Sequence, residues 1–277
     1  MTPARNERGA ILLLVLLVVS ILFVIIGQFA TSMALDRALA RNHLADTQAR
    51  CDMRSAAALL KAAVREGGAE SPLSFSLPSG RVTVTWTPEA GKFNINNLRT
   101  ENVTRATDQL DRLFTLLEGK NLIQVLGLSG QIADFVLSSE RPILSMGELK
   151  QIDGITDEVL QGLEKVLTVY SDGLVNHTIA PPEVLACLAD GINNQKTIEE
   201  VKKKLEDPGA RVPGNVAGIA NRIRRDISGD SEAYRAEIRL TGGFTSRTLE
   251  VALRKEEDRY HIILFNELEA NHERSVE

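Results

Sequence analysis

Few residues of this 277-residue chain stand at spacings that could do chemistry, and each set falls short of a site. The four histidines, His43, His177, His261 and His272, form no HxxxH or HxH pair, the spacings that turn two imidazoles toward one metal. Cys51 and Cys187 have no CxxC spacing and no histidine nearby, so neither a zinc site nor a redox motif is built. A long-range disulfide and two separate thiols are both compatible with them. The chain has no GxSxG elbow and no GxGxxG turn, and Gly119-Lys120-Asn121 lacks the upstream glycine and the hydroxyl of a phosphate loop. Acidic residues are scattered, without the DxDxDG spacing of a calcium loop. Asp153, Asp157 and Glu158 flank one turn, where negative charge suits the start of a helix. These observations argue against an enzyme.

One segment invites a nucleic-acid reading. Leu149-Lys150-Gln151-Ile152-Asp153-Gly154-Ile155-Thr156 resembles a helix-hairpin-helix, whose second glycine lets backbone amides approach a DNA phosphate. Thr156 stands where that glycine belongs. Residues 141–206 carry 7 basic and 11 acidic side chains, a local net charge of −4 that repels phosphate. The run Lys202-Lys203-Lys204 is offset by Glu199, Glu200 and Glu206 and reads as a solvated helix face. The whole chain is acidic too, with 32 basic against 37 acidic residues and a net charge of −5. A packing motif is therefore expected here, with no nucleic-acid partner.

The elements that carry these residues begin with an uneven distribution of apolar side chains. The composition is ordinary, 43% hydrophobic and 25% charged, yet residues 10–26 contain a single polar residue, Ser20. The 19 residues 9–27 rise about 28 Å as a helix, close to the roughly 30 Å of a bilayer's hydrocarbon core. Arg5 and Arg8 precede the span, which puts the first residues in the cytoplasm and the rest of the chain outside. A cleaved signal peptide ending near Ser32-Met33-Ala34 is the competing reading, but its apolar region would be unusually long. The helical composition also continues without Gly or Pro from Phe29 to Arg65, with an apolar stripe through Leu35, Ala38, Leu39, Ala45, Ala49, Met53, Ala56, Ala57, Leu60 and Val64. The expected element is one helix over 10–66, about 85 Å long, half in lipid and half amphipathic. Its small residues Ala38, Ala45, Ala49 and Ala56 are candidates for helix-to-helix contact.

A short basic leader ending Arg8-Gly9, followed by such a helix, resembles the N-terminus of type IV pilin-like proteins. The resemblance implies cleavage by a prepilin peptidase between Gly9 and Ala10. Members usually carry Glu at the fifth mature position, where it meets the N-terminal amine of a neighbouring subunit. Here that position is Leu14. An unpaired carboxylate is costly in a filament core, so Leu14 removes both the charge and the means of docking beneath another subunit, as suits a filament tip.

After Gly68 the pattern turns to alternation. Leu73, Phe75 and Leu77 precede Ser79-Gly80, and Val82, Val84 and Trp86 follow, which predicts a β-hairpin. Helical pieces are expected at 107–117, 124–137, 145–151, 156–169, 181–189 and 197–205, with a Pro/Gly loop at 206–214. Strands return at 234–240, 248–253 and 260–265. The expected fold is α+β, a pilin-like long N-terminal helix packed on an antiparallel sheet with an inserted all-helical domain. The divisions are a leader at 1–9, the helix at 10–66, the sheet at 67–98 and 231–268, and the insertion at 99–230 with its helix-hairpin-helix-like segment.

Two strings sharpen the resemblance. Gly91-Lys92-Phe93-Asn94-Ile95-Asn96-Asn97-Leu98 is similar to the GKxNLN element of the type II secretion system minor pseudopilin K family. Tyr170-Ser171-Asp172-Gly173-Leu174-Val175-Asn176, followed by Ala180-Pro181-Pro182-Glu183-Val184-Leu185, is similar to its YSDGxxNxNTAPPEVL element. The chain departs from that pattern at Asn176-His177-Thr178-Ile179-Ala180, where a local rearrangement is expected. Asn and Asp favour tight turns and Pro181-Pro182 suits the start of a helix, so both strings read as structural. The resemblance implies a pseudopilus-tip subunit in the bacterial inner membrane with most of its mass in the periplasm. Implied partners are the other minor pseudopilins, the major pseudopilin and prepilin peptidase. Calcium is the one cofactor the family suggests, and no ligands for it are assignable. The alternatives are a membrane-anchored DNA receptor and a simple anchored periplasmic protein.

Overall fold

The computed structural model describes residues 7–66, 71–100, 103–119, 127–189, 192, 194–229, 232–242, 245–257 and 259–268. Helix α1 runs unbroken from Glu7 to Glu66, 60 residues or about 90 Å. Two of the polar side chains in its upper half are satisfied within the helix: Ser20 donates to the Leu16 carbonyl at 2.8 Å and Thr31 to that of Gln28 at 2.9 Å. Such internal pairing is what hydrocarbon surroundings demand.

A five-stranded antiparallel sheet receives the lower part of α1. Its strands are β1 (Leu73–Leu77), β2 (Gly80–Pro88), β7 (Ala233–Gly242), β8 (Thr245–Glu256) and β9 (Arg259–Leu268), in the order β1-β2-β7-β8-β9. The expected hairpin is present, closing with Leu77 opposite Gly80. Ala49, Met53, Ala56, Ala57, Leu60 and Val64 are buried against Val82 and Val84 of β2, Ala236, Ile238 and Leu240 of β7, and Leu249, Val251 and Leu253 of β8. Period-four spacing on the helix thus meets period-two spacing on the strands. The small-residue stripe expected to meet other helices is therefore divided. Ala49 and Ala56 are fully buried beneath the chain's own sheet, whereas Ala38 and Ala45 remain exposed.

Two polar attachments fix α1 in register. Asp52, buried beside the hairpin, accepts from the Ser79 amide at 2.8 Å and from Gln48 at 2.9 Å. Burial works against its charge, but the bonds from Ser79 and Gln48 prevail and hold its pKa below the ordinary 3.8. Asp52→Ala is expected to cost about 1.5–3 kcal/mol, the range for hydrogen bonds to charged groups. A depressed carboxylate stabilises fully above its unfolded pKa and loses that contribution as pH falls through the folded one. The stability gap between wild type and variant, read by thermal melting, should thus be constant near neutral pH and close below 3.8. The second attachment is a clip in which Arg247 of β8 pairs with both Asp46 of α1 and Glu267 of β9.

Between β2 and β7 lie α2 (Val103–Gly119), α3 (Leu128–Ser138), α4 (Asp157–Leu163), α5 (Pro182–Cys187), α6 (Gln195–Glu206) and α7 (Gly214–Ile223), around a separate core that includes Phe93, Leu98, Leu110, Leu113, Ile132, Leu149, Tyr170, Leu185 and Val201. Two short parallel pairs stitch this block: β3 (Phe93–Asn94) with β4 (Leu167–Thr168), and β5 (Val175–Asn176) with β6 (Ile227–Ser228). The helix expected over 156–169 stops at Leu163, because the chain turns there and Leu167-Thr168 pairs with Phe93-Asn94. Segment 145–151 forms a 3-10 helix over Met146–Gln151, and part of the piece expected at 124–137 lies outside the described residues. Helix α7 was not expected, since Gly214 and Gly218 weaken its propensity. Its burial of Val216, Ile219, Ala220 and Ile223 compensates.

Candidate functional site

The exposed length of α1 is the first functional feature. From Ile11 to Phe29 every large apolar side chain is exposed, Leu14 at 63%. This is one helix long and apolar enough to cross a membrane. Met33, Leu35, Leu39 and Leu44 are bare as well, so the uncovered apolar surface continues past the membrane-length segment. Gly9 and Ala10 lie in the first turns of α1, with Leu14 one turn beyond.

The second feature is where the two motif strings meet. Asn94 donates through its amide nitrogen to the Ser171 carbonyl at 2.7 Å, and its own side-chain oxygen accepts from the Asn96 amide, capping the 3-10 turn Ile95–Arg99. Asn96 exchanges a pair of bonds with the backbone of Ile143, at 3.0 and 2.9 Å. Asn97 donates to the Gly173 carbonyl at 2.8 Å. Gly173 has φ +95°, and a Cβ there would stand 2.5 Å from Asn97 Oδ1. Gly91 lets backbones touch: a Cβ would meet the Ile179 carbonyl at 2.9 Å. The departure at 176–180 is absorbed by a turn in which Asn176 Oδ1 accepts from the amide and hydroxyl of Thr178, at 3.1 and 2.7 Å. Each asparagine donates through its amide nitrogen to the backbone of another chain segment, which makes these strings a structural lock.

Beside the lock is a charged junction that sequence reasoning missed. Glu89, 1% exposed, receives Lys92 Nζ at 2.6 Å and lies 3.5 Å from Arg235 Nε. Arg235 also reaches Glu164 at 2.9 Å and Glu250 at 3.8 Å, and Tyr170 donates to Glu250 at 3.3 Å. Burial lowers the Lys92 pKa against the pull of Glu89, and burial raises those of Glu250 and Tyr170. Burial also opposes the Arg235 charge, but Glu164 and Glu89 outweigh it and hold the guanidinium protonated. The cluster joins the sheet to the helical block.

The remaining chemistry-bearing residues do not converge. Cys51 is exposed on α1, while Cys187 is fully buried in α5 with its thiol pushed up to about 12 by burial, so both are free and Cys187 is inert. Among the described residues no three His, Cys, Asp or Glu stand together as metal ligands. The helix-hairpin-helix-like segment does form a turn, with Gly154 at φ +88°. The Thr156 hydroxyl takes the Val159 amide at 3.3 Å, and Lys150 pairs with Asp157 at 2.5 Å. The end of α4 that would meet a phosphate is thus capped and carries Asp157 and Glu158.

A long exposed helix, an antiparallel sheet beneath its lower half and a helical block inserted between two sheet strands define a pilin-like α+β fold. No protein-family model matches the chain, and no curated protein matches it. Among solved structures it is similar to a chain in the crystal structure of the GspK-GspI-GspJ complex from the enterotoxigenic Escherichia coli Type 2 Secretion System, with a TM-score of 0.62 and 15% identity, over 83% of this chain and 99% of that chain. At that identity the likeness is one of fold.

Proposed function

We propose that the chain is a minor pseudopilin of a type II secretion system, capping the pseudopilus tip and helping to start its assembly. The observation that carries this reading is the likeness over nearly the whole of a chain solved in complex with other such subunits, joined to an α1 whose upper two thirds is bare. On this reading prepilin peptidase cuts between Gly9 and Ala10. The anchored chain waits in the inner membrane with its bulk in the periplasm, then moves into a filament containing the other minor pseudopilins and the major one. Leu14 offers no carboxylate to a subunit above, and the inserted block obstructs one.

The test is reconstitution of the full chain in detergent with minor pseudopilins from the same organism. A stable stoichiometric complex is expected, and independent migration would contradict the reading. DNA added to the same sample should show no salt-sensitive micromolar binding, given the capped, acidic start of α4. Such binding would favour the anchored DNA receptor.

A further inference from the structure

The sheet is covered by α1 over only part of its width. The buried residues beneath the helix come from β2, β7 and β8, which centres it on β7, and β9 contributes only Tyr260. Strands are spaced about 4.8 Å apart, so β9 lies about 10 Å from β7. Packed helices stand about 8–10 Å apart, so the uncovered strip is one helix wide. It is apolar, with Ile262 43% and Phe265 47% exposed on the edge strand. Between it and α1 runs a cleft floored by Met53, Leu249 and Phe265, with Arg54 at its helix-side rim.

That rim is basic. Arg54, Lys61 and Arg65 recur at seven- and four-residue spacing, which sets them on one flank of α1, and all three are exposed. Among the described residues none of them has an ion pair, whereas Glu267 at the far end of the cleft is engaged by Arg247 and Arg50. An apolar floor with an unneutralised basic rim is complementary to one kind of occupant.

We infer that the groove between α1 and β9 receives an amphipathic helix of a neighbouring subunit, laid beside α1, with apolar residues on Ile262 and Phe265 and acidic residues facing Arg54, Lys61 and Arg65. This rests on the tip-subunit reading and names the surface and chemistry of the contact. An aromatic anchor within a partly desolvated charged rim has the composition of an interface hot spot.

The test uses the full chain in detergent with minor pseudopilins from the same organism. Phe265→Glu and Arg54→Glu should each weaken the complex at least tenfold. Leu59→Glu, at a side chain 47% exposed and about 140° around the helix from Arg54, should leave it unchanged. Arg54→Glu reverses a charge at an exposed position, so it keeps the test informative if Phe265→Glu perturbs folding. Hydrogen exchange separates the occupants, because a helix leaves the outward amides of β9 unprotected and an added strand protects them. If wild type assembles and both groove variants assemble equally well, or if the β9 amides become protected, the inference is overturned and the tip reading stands. If wild type does not assemble, the reading itself fails and the inference with it.

Discussion

Arg235→Met should lower stability by about 3 kcal/mol, the lower end of the cost of breaking a buried ion pair from one side, because the guanidinium is half-buried and only Glu89 is fully buried. The guanidinium is the single cation shared by Glu89, Glu164 and Glu250. Without it the three carboxylates face only Lys92 among the described residues, and Glu89 is 1% exposed. For a chain of this size the loss corresponds to a melting temperature lower by roughly 10 °C. The sheet and the helical block share this cluster, so both should loosen together. Adding Glu164→Gln to Arg235→Met should recover part of the loss, because the second change removes a charge that the first left unpaired. A melting curve unchanged by Arg235→Met would mean that the junction contributes nothing.

Leu14→Glu is the second large effect, and it acts on function. The side chain is on the bare length of α1; on the tip-subunit reading it lies in lipid before assembly and among other helices after it. A carboxylate in hydrocarbon costs about 2.5–3.5 kcal/mol at the centre of a span, and less toward its edge. If the subunit caps a filament, as proposed, no subunit lies above to supply a compensating amine. Tip-complex formation should therefore fall by at least tenfold, about 1.4 kcal/mol, and secretion with it, while the melting temperature of the sheet and helical block is unaffected. Unchanged assembly and secretion would remove the argument that Leu14 gives the subunit its polarity.

Much of the frame was legible in the sequence because it rests on local periodicity. The unbroken α1, the β1–β2 hairpin and the three C-terminal strands follow from apolar spacing and turn residues alone. Partners across the chain were not legible. Leu167 and Thr168 suit a helix or a strand, and only Phe93, more than 70 residues earlier, decides for the strand. The stripe at Val216, Ile219, Ala220 and Ile223 was visible, but Gly214 and Gly218 masked it. The alanine stripe gave no sign of where the sheet ends, so Ala49 and Ala56 were assigned to other subunits when the chain's own β2, β7 and β8 cover them. The charged junction is the extreme case. Glu89, Glu164, Arg235 and Glu250 span more than 160 residues, share no motif, and meet only because the helical block folds back onto the sheet.

We propose that α1 is an assembly helix released from a short leader, with membrane residence as its waiting state. Intact-mass measurement of the chain purified from membranes tests this most directly. A mature protein that begins at Ala10 is expected. A chain still beginning at Met1, or one beginning near Leu35, would contradict it.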